Sequence, residues 1–212
     1  MNILHTESSI NWGGQEYRAL EQMEWLQANG HEAVLAARPG SDIGHRARAA
    51  GLTVFDVAYT GHYDPRAIQS VRNLIRQNRI EIADCHGSRD VMTLAFARGL
   101  IPVIRTRHVS QSLKNKLHRR LQWRYGSDHI IATAECIRDE IIKKGLASSD
   151  KISVVGEWAG DAFFDVSRKE DYRLDVRQEF AVPDGHSLVC VVGMLRGDKA
   201  QELIIEMVAE LK

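Results

Sequence analysis

Residues 2–30 read NILHTESSINWGGQEYRALEQMEWLQANG, and their order sets the expectation for the fold. A short apolar run at 2–5 gives way to small polar residues, the adjacent glycines Gly13 and Gly14 follow, and Leu20, Met23 and Leu26 then recur at helical spacing. Strand, glycine-bearing turn and helix form the opening of an α/β unit. Glycine at such a turn permits positive φ and close packing. It also lets a ligand reach the backbone N–H groups at a helix start, where the dipole favours an anion such as phosphate. These residues alone leave both readings open.

The same rhythm continues along the chain. Candidate strands are residues 2–5, 33–36, 53–57, 80–83, 102–106, 129–132 and 151–155, and candidate helices lie near 15–28, 43–50, 65–78, 90–97, 113–125 and 135–143. Gly30 and Gly145 stand where C′ glycines end helices, and Asp64 followed by Pro65 is an N-cap with proline at N1. The alternation predicts a Rossmann-like, doubly wound α/β domain with a mostly parallel sheet, whose ligands gather beyond the carboxyl ends of the strands. After Val155 the rhythm breaks. We expect a first domain over 1–165, a connection over 166–186, and over 187–212 one strand and one helix of a second α/β domain. A lone strand and helix cannot close a core, so that second domain is expected to be incomplete.

Composition narrows the function classes. The 28 Lys and Arg balance 28 Asp and Glu, which argues against a nucleic-acid partner. MNILHTESS lacks the features of a signal peptide, and no run approaches the roughly 20 apolar residues of a membrane span, so a cytoplasmic location is expected. Cys85, Cys136 and Cys190 are few and far apart, and read as buried structural thiols rather than a disulfide framework or zinc site. The nine histidines are scattered rather than set at ligand spacings, so no metal is expected.

Four stretches carry candidate chemistry. DCHGSRD, residues 84–90, places His86, Ser88 and Arg89 just before a helix, where they suit a polar ligand; alternatively, Ser88 or Asp90 caps the helix. PVIRTRHVSQS, residues 102–112, puts Arg105, Arg107 and His108 at a strand end, where an imidazole can hydrogen-bond a sugar hydroxyl or a phosphate. In KNKLHRRLQWR, residues 114–124, Leu113, Leu117 and Leu121 are spaced to pack on the sheet. The opposite face, with Lys114, Lys116, Arg119, Arg120 and Arg124, is either solvated or drawn to an anionic membrane surface or a phosphate-bearing lipid acceptor, at about 1 kcal/mol per basic residue. In VVGMLRGDKA, residues 191–200, Arg196 and Lys199 follow Gly193 and could converge on a diphosphate, or occupy an ordinary surface turn.

Taken in order, NWGGQEYRALE, DCHGSRD, VIRTRHVS, IATAECIRDEIIKKG, KISVVGEWAGDAFF and VVGMLRGDKAQELI resemble a GT-B-fold glycosyltransferase. The chain is most similar to the retaining family 4 (glycosyltransferase group 1) enzymes of lipopolysaccharide and cell-surface glycan synthesis. The resemblance implies sugar transfer from a nucleotide-sugar donor to a glycan or lipid-linked acceptor, with retention and with no cofactor or metal. Residues 1–165 would be the acceptor-side domain, and 187–212 the start of the nucleotide-sugar-binding domain. Gly13 and Gly14 would bring N–H groups to the donor diphosphate or the acceptor, His108 would contact the transferred sugar as the catalytic residue, and Arg196 and Lys199 would neutralise the diphosphate. His86, Ser88, Arg89, Arg105 and Arg107 would serve the acceptor or sugar.

The chain departs from the pattern in carrying Met194 where the family often has arginine, and Ala200 where it has glycine. The family's paired-glutamate motif belongs further along the second domain, so little or no turnover is expected of these 212 residues alone. Peripheral attachment to the inner face of the membrane is the expectation that the basic stretch itself carries. Three rivals compete. An NADP-dependent oxidoreductase would use Arg38, but no G-x-G-x-x-G follows the first strand. A GT-B-fold sugar-nucleotide epimerase and a non-catalytic glycan- or partner-binding half-enzyme complete the set.

Overall fold

The computed structural model describes residues 1–61, 63–108, 117–160, 163–193, 195 and 197–210. They divide into two units, Met1–Trp158 and Ala159–Lys212. The first holds seven strands, β1 (Asn2–Glu7), β2 (Glu32–Ala37), β3 (Thr53–Asp56), β4 (Ile82–Cys85), β5 (Val103–Arg107), β6 (His129–Ala132) and β7 (Ile152–Val154). Between them run α1 (Gly14–Ala28), α2 (Asp42–Ala49), α3 (Pro65–Gln77), α4 (Asp90–Ala95), α5 (Leu117–Tyr125) and α6 (Glu135–Lys143). All neighbours pair in parallel, in the order β3-β2-β1-β4-β5-β6-β7, which is the expected doubly wound sheet.

Side chains alternate across that sheet, so each strand feeds two layers. Leu4, Val34, Ala36, Ala83, Cys85 and Val103 join Val71, Leu74 and Ile75 of α3 and Val91 and Leu94 of α4 in one core cluster. Ala33, Leu35 and Ala37 pack under Ala19 and Met23 of α1 and Ile43 and Ala47 of α2. Trp123, Ile130, Ala132, Ile137, Ile141 and Ile152 form a third cluster at the β6–β7 edge. Each fully buried aliphatic side chain contributes about 1.5–3 kcal/mol. Burial on both faces explains why β2, EAVLAA, reads as a near-continuous apolar run rather than an alternating one.

Helix ends follow their sequence punctuation. The Asp64 carboxylate accepts from the N–H groups of Arg66 and Ala67 at the start of α3. Gly30 and Gly145 take φ of +80° and +61° after α1 and α6, where a side chain would be strained.

Three expectations are corrected. On α5 Leu117 and Leu121 do not pack on the sheet, and Leu113 lies outside the described residues. Leu117 and Leu121 are 74% and 50% exposed, and Trp123 and Gln122 turn inward instead. The reason is that the Trp123 ring takes the Arg105 guanidinium on its face, 3.4 Å from the ring centroid, while Gln122 donates to the Ser88 carbonyl. Those two anchors set the helix rotation. Of the cysteines only Cys85 is buried, its thiol donating to the Ile104 carbonyl; Cys136 and Cys190 are exposed. In the second unit, residues 188–192 form no strand among the described residues, because nothing described there offers a ladder partner.

That second unit contains α7 (Lys169–Glu179), a 3₁₀ turn at Gly197–Lys199 and α8 (Gln201–Glu210), and neither helix buries a residue. Arg177 of α7 holds the following turn by donating to the carbonyls of Pro183 and His186. Among the described residues no helix is long and apolar enough to cross a membrane.

Candidate functional site

The strand order reverses between β1 and β4, so their connections leave in opposite directions and open a crevice at the carboxyl ends. His5 of β1 and Asp84 of β4 are in-register partners at that point. His5 Nδ1 lies 3.1 Å from His86 Nε2, and His86 Nδ1 lies 3.0 Å from His108 Nε2. Three imidazoles from β1, the β4–α4 loop and the end of β5 thus form one hydrogen-bonded chain. Asp84 lies beneath it, fixed by the Thr106 hydroxyl, which donates to its two carboxylate oxygens at 2.8 and 2.9 Å.

Burial keeps all three rings neutral. Desolvation lowers the pKa of His5 to about 4, with a further push from His86, and that of His86 to about 3. His108 falls to about 2 through desolvation, then His86, Arg18 and Arg107. Each neutral ring has one N–H and one lone pair, so the tautomers are linked. The outer end of the chain, His108 Nδ1, lies 3.5 Å from Glu157 Oε1, which favours a proton there. His86 then donates from Nδ1 to His108, His5 donates from Nδ1 to His86, and the lone pair falls on His5 Nε2, a buried atom with no hydrogen-bond partner.

His5, Asp84 and His86 bring three ligand-type atoms within 4.8 Å of one another, a grouping that linear spacing hid. Within that group the His5–His86 hydrogen bond occupies His5 Nδ1 and His86 Nε2, and His5 Nε2 is left without a partner.

The β1–α1 connection carries the glycine pair. Gly13 is the N-cap of α1 and no side chain caps the helix; a Cβ at Gly14 would meet nothing within 4 Å. The N-terminus of α1 is therefore open to a ligand at Gly14. Beside it, buried Glu7 accepts from Gln15, and desolvation followed by Asp90 raises its pKa to about 8, so it is protonated at neutral pH.

Asp90 is the hub of the β4–α4 loop. It accepts from Thr6, Ser8 and the N–H groups of His86 and Gly87, all at 2.9–3.2 Å, and desolvation raises its pKa. Gly87 is required here, because a Cβ would collide with the Asp90, Ser8 and Glu7 side chains. Asp90 was legible only as a helix cap.

The other expected site residues separate. His86 joins His108, but Ser88 is exposed and Arg89 sits at the N-cap of α4 without a side-chain cap bond. Arg105 lies buried against Trp123, where desolvation lowers its pKa to about 10. Arg107 is half-buried, with Glu140 as its electrostatic partner. Lys199 lies in the 3₁₀ turn of the second unit. Arg196, Lys114 and Lys116 lie outside the described residues. Sequence reasoning missed His5, Asp84, Arg18 and Glu157, since their significance comes from contacts across more than one strand connection.

The model of "Glycosyltransferase Family 4" matches residues 12–157. No curated protein sequence matches the chain. A glycosyltransferase from Rickettsia africae ESF-5 superposes on all of this chain and 57% of its own, with a TM-score of 0.84 and 14% identity. HepE from Anabaena, solved with UDP, superposes on 99% of this chain and 58% of its own, with a TM-score of 0.79 and 15% identity. The lipopolysaccharide outer core galactosyltransferase WaaB covers 76% and 46% of the two chains, at a TM-score of 0.57 and 16% identity. The chain thus spans a little over half the length of the first two structures, and the likeness to all three is one of fold. The family match runs from the residue before the glycine pair, through the loops of His86 and His108, to Glu157, and on that ground this chain belongs to glycosyltransferase family 4.

Proposed function

We propose that the protein transfers a sugar, with retention, from a nucleotide-diphosphate sugar to a glycan or lipid-linked acceptor in cell-surface polysaccharide or lipopolysaccharide synthesis. The observation that carries this reading is the polar crevice at the β1/β4 switch point, where three linked histidines meet and the glycine helix start that follows β1 is uncapped. The structural neighbour HepE was solved with UDP-glucose, which favours a uridine nucleotide donor. Gly13 and Gly14 offer N–H groups to an anionic part of donor or acceptor. His108 contacts the transferred sugar through its ring edge, since its Nε2 accepts from His86 and its Nδ1 faces Glu157. No metal or other cofactor takes part. Arg105 supports the site through packing, and Arg107 lies at its edge.

The stripe of Leu117, Leu121 and Tyr125 suits a lipid-linked acceptor. It is exposed and flanked by Arg120 and Arg124, the arrangement of a helix lying in an anionic bilayer interface. That surface supports peripheral attachment on the cytoplasmic side.

The test is acceptor-dependent release of nucleoside diphosphate by the natively expressed protein across a panel of nucleotide sugars, with the product's anomeric configuration read by NMR. Retained sugar on a glycan or lipid acceptor is expected. Epimerised or hydrolysed sugar nucleotide without any acceptor would favour the epimerase instead.

A further inference from the structure

Arg18 of α1 is a buried cation with an incomplete partner. Its side chain is 5% exposed, and its Nε and Nη1 atoms have no hydrogen-bond partner. What it has is an ion contact: Nε lies 3.3 Å from Glu157 Oε2. The other oxygen of that carboxylate lies 3.5 Å from His108 Nδ1, whose side chain is 3% exposed and which also lacks a hydrogen-bond partner. Charge-assisted hydrogen bonds close to about 2.7–2.9 Å, so Glu157 neutralises this corner without forming them. Glu157 is itself 49% exposed and follows β7 outside regular structure. The guanidinium also lies over the Trp158 ring, 4.7 Å from its centroid, and the Trp158 indole N–H is held by Glu21 at 2.9 Å.

A desolvated guanidinium is costly unless its N–H groups are bonded, so the corner is built for an anion that fits better than Glu157. The occupant it now holds indicates the chemistry: a planar carboxylate, bridging the guanidinium Nε and His108 Nδ1, beside an aromatic face that suits a sugar ring. We propose that Arg18, His108 and Trp158 form a subsite for the carboxylate of an acidic sugar in the acceptor, with Glu157 as its stand-in until the sugar displaces it. The inference rests on the reading of the protein as a sugar transferase and adds the charge class of its acceptor.

Binding can be read without donor or turnover. Sodium glucuronate, glucose and inorganic phosphate are titrated separately into the full chain, following the Trp158 indole and Arg18 Nε–H resonances by NMR. Glucuronate is expected to shift both resonances to saturation, and glucose neither. Arg18→Met, which keeps the aliphatic stem and removes the charge, should weaken glucuronate by about tenfold or more, the scale of a lost charged hydrogen bond. Glu157→Gln, at a half-exposed position, should tighten it several-fold by weakening the internal competitor. Retained spectral dispersion in both variants separates loss of binding from loss of fold.

Phosphate binding as tightly as glucuronate would overturn the carboxylate assignment. So would glucuronate binding that survives Arg18→Met, and affinity unmoved by Glu157→Gln would remove Glu157 as the stand-in. Failed transfer in the donor panel would leave this binding result standing, and failed binding here would leave transfer standing.

Discussion

At the residue scale, the buried histidines and acids impose opposite pH dependences. In the unfolded chain an imidazole protonates near pH 6.5, whereas folded His5 resists protonation down to about 4. Between those values the unfolded state binds more protons, so the stability associated with His5 is present above pH 6.5 and is lost as pH falls toward 4. His5→Asn should therefore be less stable than the native chain at pH 7, with the gap shrinking as pH drops through that window in urea titrations. A gap that stays constant would show that His5 is not held neutral. Glu7 runs the other way, from 4.5 unfolded to about 8 folded, so its stabilisation is full below pH 4.5 and is lost as pH rises through 8. Glu7→Gln should gain on the native chain over that range. The glycines differ as sharply. Gly87→Ala drives a methyl into Asp90, Ser8 and Glu7 and should cost about 1–3 kcal/mol, whereas Gly14→Ala meets open space and should stay within about 0.5 kcal/mol. If Gly14→Ala nonetheless lowers donor or acceptor affinity, the glycine is there for the ligand; unchanged affinity would make it a packing glycine only.

At the element scale, α5 concentrates what the sequence could and could not convey. Its leucine spacing is amphipathic and its basic residues are plain, yet helical periodicity gives a stripe without saying which way the stripe faces. Direction is decided by Trp123 under Arg105 and by Gln122 on the Ser88 carbonyl, contacts to other elements that no local pattern contains. By contrast, seven strands and six helices of the first unit were legible, because burial on both sheet faces and the Asp64, Gly30 and Gly145 punctuation are local signals. The histidine chain was invisible for the same reason α5 was misread: His5 and His86 are 81 positions apart, and only the β1–β4 register joins them. The exposed stripe carries its own prediction. Leu117→Ser with Leu121→Ser should reduce co-sedimentation with vesicles containing anionic lipid about tenfold or more, each buried leucine contributing on the order of 1.5 kcal/mol or above. Arg120→Gln with Arg124→Gln should weaken binding and flatten its salt dependence. Undiminished binding by both pairs would exclude α5 as the contact.

At the scale of the whole molecule, stability is concentrated in one unit. All three core clusters and the entire seven-stranded sheet lie within Met1–Trp158, whereas α7 and α8 bury no residue of their own. Helices without a buried face gain little beyond propensity, and lengths of 11 and 10 residues are marginal for isolated helices in water. The polar site follows the same division, since the three histidines, Arg18 and Glu157 are all held by β1, the segments just after β4, β5 and β7, and α1. The ligand-binding corner should therefore persist when the second unit opens locally. Limited proteolysis tests this directly: at low protease concentration, mass spectrometry should find early cuts confined to residues 159–212 and a resistant fragment ending near Trp158. That fragment should still unfold in a single cooperative transition and retain the Trp158 indole resonance displaced by glucuronate. Early cleavage between β-strands of the first unit, or a fragment without cooperative unfolding, would mean that the second unit contributes to the stability of the sheet and that the site depends on both.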